Sequence, residues 1–356
     1  MSQLVDNYYL SLGEVMFAFG FLVGIKVGLG YVMNAIMKVL RDDPTPTSDQ
    51  VETPAIVADD PGQRSIALGR RTLFIGLATA WTFSALIQIL PMMVIVSKHQ
   101  YLSHATEFDP IWLVQFSTWF SGVWFWDSTA ANIISILIQI SIALIVYLGR
   151  KHFVGKIGVW LSLIFALLQW IFGGGVNHLF AAPHMVAVNF PGSALLVVVI
   201  SALLLLPTTY WEQARFTMWL TRAVTGFYLL AALWQITAFV RMPMTAMAST
   251  LGVQHDAFAL ILVTGQDLFR QEITTYGAWI IAGLALIWLY AAVVSIRWVQ
   301  SRVSMILVIL LFLIEWWFVE GFGCAPHYLL NVGMMPLLMF LMWSLHLMNH
   351  TANIHK

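Results

Sequence analysis

The sequence predicts an all-α polytopic membrane protein with nine transmembrane helices. One N-terminal helix is followed by two pseudo-symmetric four-helix bundles. Three observations predict this. The 356 residues are 60% apolar and only 10% charged, with a mean hydropathy of +0.82, whereas soluble domains carry about 25% charged residues. Several windows hold 18 or more nearly uncharged residues, enough to cross a hydrocarbon core of about 30 Å. The phrase LIEWWFVEGFG at 313–323 recurs in altered form as LLQWIFGGGVN at 167–177.

The net charge is zero, so nothing points to a nucleic-acid partner. Cys324 is the single cysteine. That excludes an intrachain disulfide and a CxxC relay. The opening MSQLVDNYYLSLGE has no basic n-region and no small-residue cleavage site. It reads as the start of an uncleaved first span.

The first span covers 10–32 and its helix continues to 40. Gly20, Gly24 and Gly28 recur every four residues, which lets another helix backbone approach closely. The expected partner lies in this chain or in another membrane subunit. Lys26 must snorkel or face protein. Residues 41–67 are rich in Asp, Pro, Thr and Ser, without an apolar period. They read as a flexible polar linker on the cytoplasmic side.

Eight further spans are expected at 72–96, 130–148, 157–172, 192–206, 220–240, 276–296, 304–318 and 329–347. Thirteen Lys and Arg residues fall on one side and three, Lys98, Arg241 and Arg270, on the other. The positive-inside rule then puts the N-terminus outside and the C-terminal tail, 348–356, in the cytoplasm. Two long outer connections, 97–129 and 241–275, carry aromatic and apolar residues such as Trp112, Trp119, Trp124 and Trp126. They are expected to lie at the headgroup level, in contact with lipid.

Residues 68–207 and 208–347 read as two copies of one unit. Trp81 and Gln88 align with Tyr228 and Gln235, seven residues apart in both copies. Gln169, Trp170, Phe172 and Gly174 align with Glu315, Trp316, Phe318 and Glu320. Four spans per unit is an even number, so the copies share an orientation and are parallel repeats.

Each unit resembles the DoxX/DoxD-like four-helix membrane family. The resemblance rests on RRTLFIGLATAWTFSALIQILP, on QWIFGGGVNHLFAAPHMVAVNFPGSALL and on IEWWFVEGFGCAPHYLLNVGMMPLLM, whose order covers about 280 residues. Named members of that family include a subunit of thiosulfate:quinone oxidoreductase. The resemblance implies a four-helix bundle per unit, a connection to quinone and a bacterial or archaeal cytoplasmic membrane. The chain departs from the usual single unit by duplication, by its added first helix, and by Gly174 where the second copy has Glu320.

Glu315 and Glu320 are the candidate catalytic residues. An ionisable group inside a span is expensive to bury and marks a functional site, and a carboxyl can exchange the protons of quinone chemistry. The alternative is structural: each caps backbone or pairs with Arg241 or another helix. Trp316, Trp317 and Trp170 can stack on a planar ring or form an interface belt. Gln169, Gln88 and Gln235, with Gln139, are ligand contacts or interhelical hydrogen bonds. Arg241, near the outer mouth, can receive an anion or quinone carbonyl, or anchor to lipid phosphate.

His184 and His327, with Cys324 and several outer methionines, offer ligand types that suit copper. No spacing among them is a ligand motif, for copper or for haem. His346 and His350 read as an exposed terminus. The leading expectation is a quinone-interacting membrane subunit of a respiratory or sulfur-oxidising oxidoreductase complex. A non-catalytic scaffold subunit and a copper-handling or small-solute transporter are the alternatives.

Overall fold

A computed structural model describes residues 61–89, 111–124, 126–149, 153–172, 192–241, 260–320 and 333–350. The expected first helix with Gly20, Gly24, Gly28 and Lys26 lies outside these residues. So do His184, Cys324 and His327, and most of the polar linker. From Pro61 onward the chain is one compact unit. All its regular structure among the described residues is helical.

Helix α1 spans Pro61–Gln88. It begins within the stretch expected to be linker, because proline at the first helical position lacks an N–H the helix would not use. It ends short of the expected 96. Residues 90–96 of the expected span lie outside the described residues. Helix α2 (Ile111–Trp124) lies in the first long connection. Helix α3 (Ser128–Gly149) starts from Asp127, whose carboxylate accepts from the backbone of Thr129 and Ala130 at 2.9 and 3.1 Å. That satisfies two of the donors a helix start leaves open.

Helices α4 (Phe153–Phe172), α5 (Ser193–Leu205) and the short α6 (Thr208–Trp211) follow. Helix α7 spans Ala214–Arg241. Helix α8 spans Leu260–Val293, but Tyr276 breaks it at φ −117° and ψ 21°. The break falls where the expected interfacial connection meets the expected span. A π-helical turn, Val294–Trp298, closes it. Helix α9 (Arg302–Phe318) is capped by Ser301, which accepts from Ser304 N at 3.3 Å. Helix α10 is Met335–His350.

Four stretches are long and apolar enough to cross a membrane: Ser128–Gly149, Phe153–Ile171, Arg215–Ile236 and Thr275–Trp298. Two shorter apolar helices, Ser193–Leu205 and Met335–Asn349, accompany them. Large apolar side chains cover outward faces, among them Trp160, Ile164, Leu230, Leu233, Leu286 and Leu310. Such surfaces are stable against lipid and not against water. The protein is therefore a membrane-associated helical protein.

Interhelical contacts fix the directions. Gln88 on α1 bonds Asn132 on α3, end to start, so these helices are antiparallel. Gly158 of α4 sits against Val146 of α3, so α4 turns back along α3. Ser162 of α4 bonds Ser201 of α5 at 2.9 Å, and Arg70 of α1 donates to the Leu204 carbonyl of α5 at 3.3 Å. Helices α1, α3, α4 and α5 thus close a ring.

Helix α7 pairs with the end of α8 through Thr225 and Ser295 at 2.6 Å. Helix α9 packs on α8 and α10, and α10 runs antiparallel along α1. That last seam is tight. The Ser344 hydroxyl donates to the Gly69 carbonyl at 2.9 Å, and Gly76 faces the Phe340 ring. Following these pairings, α4 and α9 point the same way. Their C-terminal ends, with Gln169 and Glu315, lie at one end of the unit. Arg70, Arg71, Lys156, Arg297 and Arg302 lie toward the other end.

His346 corrects an expectation. It is buried, 3% exposed, and its Nδ1 lies at hydrogen-bonding distance from the Val299 carbonyl. The helix ending at the π-turn leaves carbonyls without intrahelical partners, and the imidazole takes one. The His350 side chain is outside the described residues.

Candidate functional site

The last turns of α9 read FLIEWWF. Helical period puts Phe312, Glu315 and Val319 on the buried face, while Leu313, Ile314 and Trp317 are exposed. Glu315 is therefore carried into the interior by register, at 2% exposure. Its Oε1 accepts from Trp288 Nε1 at 3.0 Å. Its Oε2 is buried and has no hydrogen-bond partner among the described residues.

Trp288 belongs to a ring cluster. Its centroid is 5.8 Å from Tyr228, 5.6 Å from Phe312 and 6.0 Å from Phe227. Tyr228 also touches Phe312 at 5.8 Å. The Tyr228 hydroxyl is buried and likewise unpartnered among the described residues. The arrangement is a carboxyl with one satisfied and one open oxygen, at the edge of an aromatic core built from α7, α8 and α9.

Glu320 is different. It is 1% exposed, in the turn after α9. Oε1 accepts from Met334 N at 2.9 Å and Oε2 from Met335 N at 3.3 Å. These amides open α10, where donors are unmet and the helix dipole favours an anion. Both oxygens are committed to capping, which is the structural alternative the sequence left open. Gly333, at φ 74°, lets the chain pass directly beneath this carboxylate. Trp316 packs its ring on Phe83 of α1 at 5.1 Å. Glu320 and Trp316 together fasten α9 to α10 and α1.

The other expected site residues spread out. Gln88 is engaged with Asn132. Gln235 and Gln169 are buried, each with an amide oxygen lacking a partner among the described residues. Trp170 packs half-buried against the core. Gln169 and Trp170 share the end of the unit with Glu315, but α4 packs on α3 and α5 while α9 packs on α8 and α10. Arg241 is the last residue of α7, and its side chain lies outside the described residues. Among the described residues no three His, Cys, Asp or Glu side chains converge as a metal would need.

Trp288 and Gly333 touch the two candidate glutamates and were not singled out from the sequence. Trp288 had a signal: it lies on the 281, 284, 288, 291 stripe that α8 buries. A tryptophan there needs an acceptor for its N–H. Comparison with protein-family models, with curated proteins and with solved structures finds no match.

Proposed function

We propose that the chain is the quinone-interacting membrane subunit of a respiratory or sulfur-oxidising oxidoreductase complex, with Glu315 as its proton-exchanging group. The observation that carries this reading is the open Oε2 of a buried carboxyl beside the Trp288–Tyr228–Phe312 cluster. A quinone headgroup is flat and apolar, with hydrogen-bonding oxygens at its rim, so the residue types fit it. A bound quinone supplies the two-electron redox couple. Glu315 holds or passes a proton at Oε2, Trp288 fixes its orientation through Oε1, and the rings exclude water.

In this reading the chain is a DoxX-like tandem with an added first helix, nine spans in all. Support comes from the matched order of antiparallel neighbours, α1–α3–α4–α5 and α7–α8–α9–α10. Further support comes from Trp81 and Tyr228, both fully buried and both seven residues before a buried glutamine. The Glu320 end is extracytoplasmic in this reading, since Arg and Lys gather toward the opposite end. Electrons enter through a partner subunit.

A scaffold role is the second reading. It is favoured by Glu320, whose two oxygens are spent on capping α10. Purification of the intact complex from its membrane separates the two. Substrate-dependent quinone reduction that is lost in Glu315→Gln supports the first. Full turnover in that variant, with all subunits retained, supports the second.

A further inference from the structure

The α1–α3–α4–α5 ring contains a second set of buried polar groups, away from Glu315. Gln139 stands in the middle of α3, the span Ser128–Gly149. It is 0% exposed, and neither its Nε2 nor its Oε1 has a hydrogen-bond partner among the described residues. The Ser84 hydroxyl on α1 is also 0% exposed and unpartnered among them.

Register brings these groups to one seam. Gln88 and Asn132 bond across α1 and α3. Seven residues back along α1 is Trp81, and seven residues forward along α3 is Gln139. Seven residues are nearly two whole turns, so both stay on the facing stripes. Because the helices are antiparallel, both lie about 10 Å inward of the Gln88–Asn132 pair, at one level. Ser84 lies between, one turn from Gln88.

At the inner level Trp81 Nε1 donates to Ser162 Oγ at 2.8 Å, and Ser162 meets Ser201 at 2.9 Å. All four helices of the ring therefore place a polar group at or near this depth. None of the charged residues of these helices is there. Arg64, Arg70, Arg71 and Lys156 lie on turns toward the far end, and α3 and α5 carry no charge at all.

We propose that Gln139 and Ser84 bind ordered water at the centre of this ring, as a small internal polar site in the middle of the span. An amide with a free donor and a free acceptor matches a neutral molecule that both donates and accepts, and water is the smallest such guest. An ion finds no countercharge there. A buried amide left unsatisfied in an apolar medium is strongly unfavourable, so the guest is part of the folded state.

The test is a structure of the full chain in lipid nanodiscs, at a resolution that shows ordered solvent elsewhere in the protein. A solvent peak about 3 Å from Gln139 Oε1 or Nε2 is expected. Gln139→Leu should lose that peak, and Ser84→Ala should weaken or displace it. A direct bond from both Gln139 amide atoms to other side chains, or a dry seam, would overturn the proposal. Should Gln139→Leu fail to fold, wild-type protein labelled with 15N-glutamine gives an independent reading. A water cross-peak to the Gln139 side-chain amide supports the site, and its absence in folded protein overturns it.

Discussion

Gly333 lies directly beneath the carboxylate of Glu320. It holds a φ of 74°, and a β-carbon there would run into Oε2 of Glu320 and the indole nitrogen of Trp316. Gly333→Ala should therefore destabilise the protein twice over, by roughly 1–2 kcal/mol from backbone conformation and again from the collision. Gly226 and Gly283 face open space. Alanine at either should raise stability by roughly 0.5–1 kcal/mol, since both are helical. Thermal unfolding of the three variants in one detergent checks the contrast.

Glu320 caps α10 through two backbone amides. Glu320→Ala should cost about 1–2 kcal/mol, the range for losing a helix cap. Glu320→Gln keeps one acceptor oxygen and should lose less. Equal losses in the two variants would show that the charge, and not the acceptor geometry, holds the corner.

Trp288 and Glu315 should be coupled. Trp288→Phe keeps the ring in the Tyr228–Phe312 cluster and removes the donor to Glu315 Oε1. An unsatisfied buried acceptor costs about 1–3 kcal/mol. Glu315→Leu should remove most of that penalty when the two changes are combined. A double-mutant cycle on unfolding free energy measures the coupling, and additive effects would show that the bond contributes nothing.

How much of this was legible beforehand depends on the residue. Four span interiors were, those within Ser128–Gly149, Phe153–Ile171, Arg215–Ile236 and Thr275–Trp298, because an apolar run of the right length has one stable outcome in lipid. Glu315 and Gln88 were flagged correctly as buried polar groups, since polar residues inside apolar helices face protein. The ends were less legible. Pro61 starts a helix inside a polar stretch, and Tyr276 breaks one, neither of which changes the hydropathy pattern. Partners were not legible. That Glu315 meets Trp288 while Glu320 meets Met334 depends on how α8 and α10 pack on α9. The burial of His346 was missed for the same reason, since its acceptor is a backbone carbonyl 47 residues away.

Helix α2 exposes Trp112, Phe116, Trp119 and Val123 along one stripe, spaced four, three and four residues apart. It connects the ends of α1 and α3, at the headgroup level in the proposed orientation. Trp112→Phe and Trp119→Phe should each reduce the fluorescence quenched by lipids brominated near the headgroup. They should leave quenching by lipids brominated at the chain end unchanged.

Quinone binding to the purified, intact complex tests the role of Glu315 most directly. Wild type and Glu320→Gln should bind a short-chain quinone alike, while Glu315→Leu should bind about tenfold more weakly, the loss of one buried hydrogen bond. Equal binding by the Glu315→Leu variant, or no binding by the wild type, would contradict the assignment.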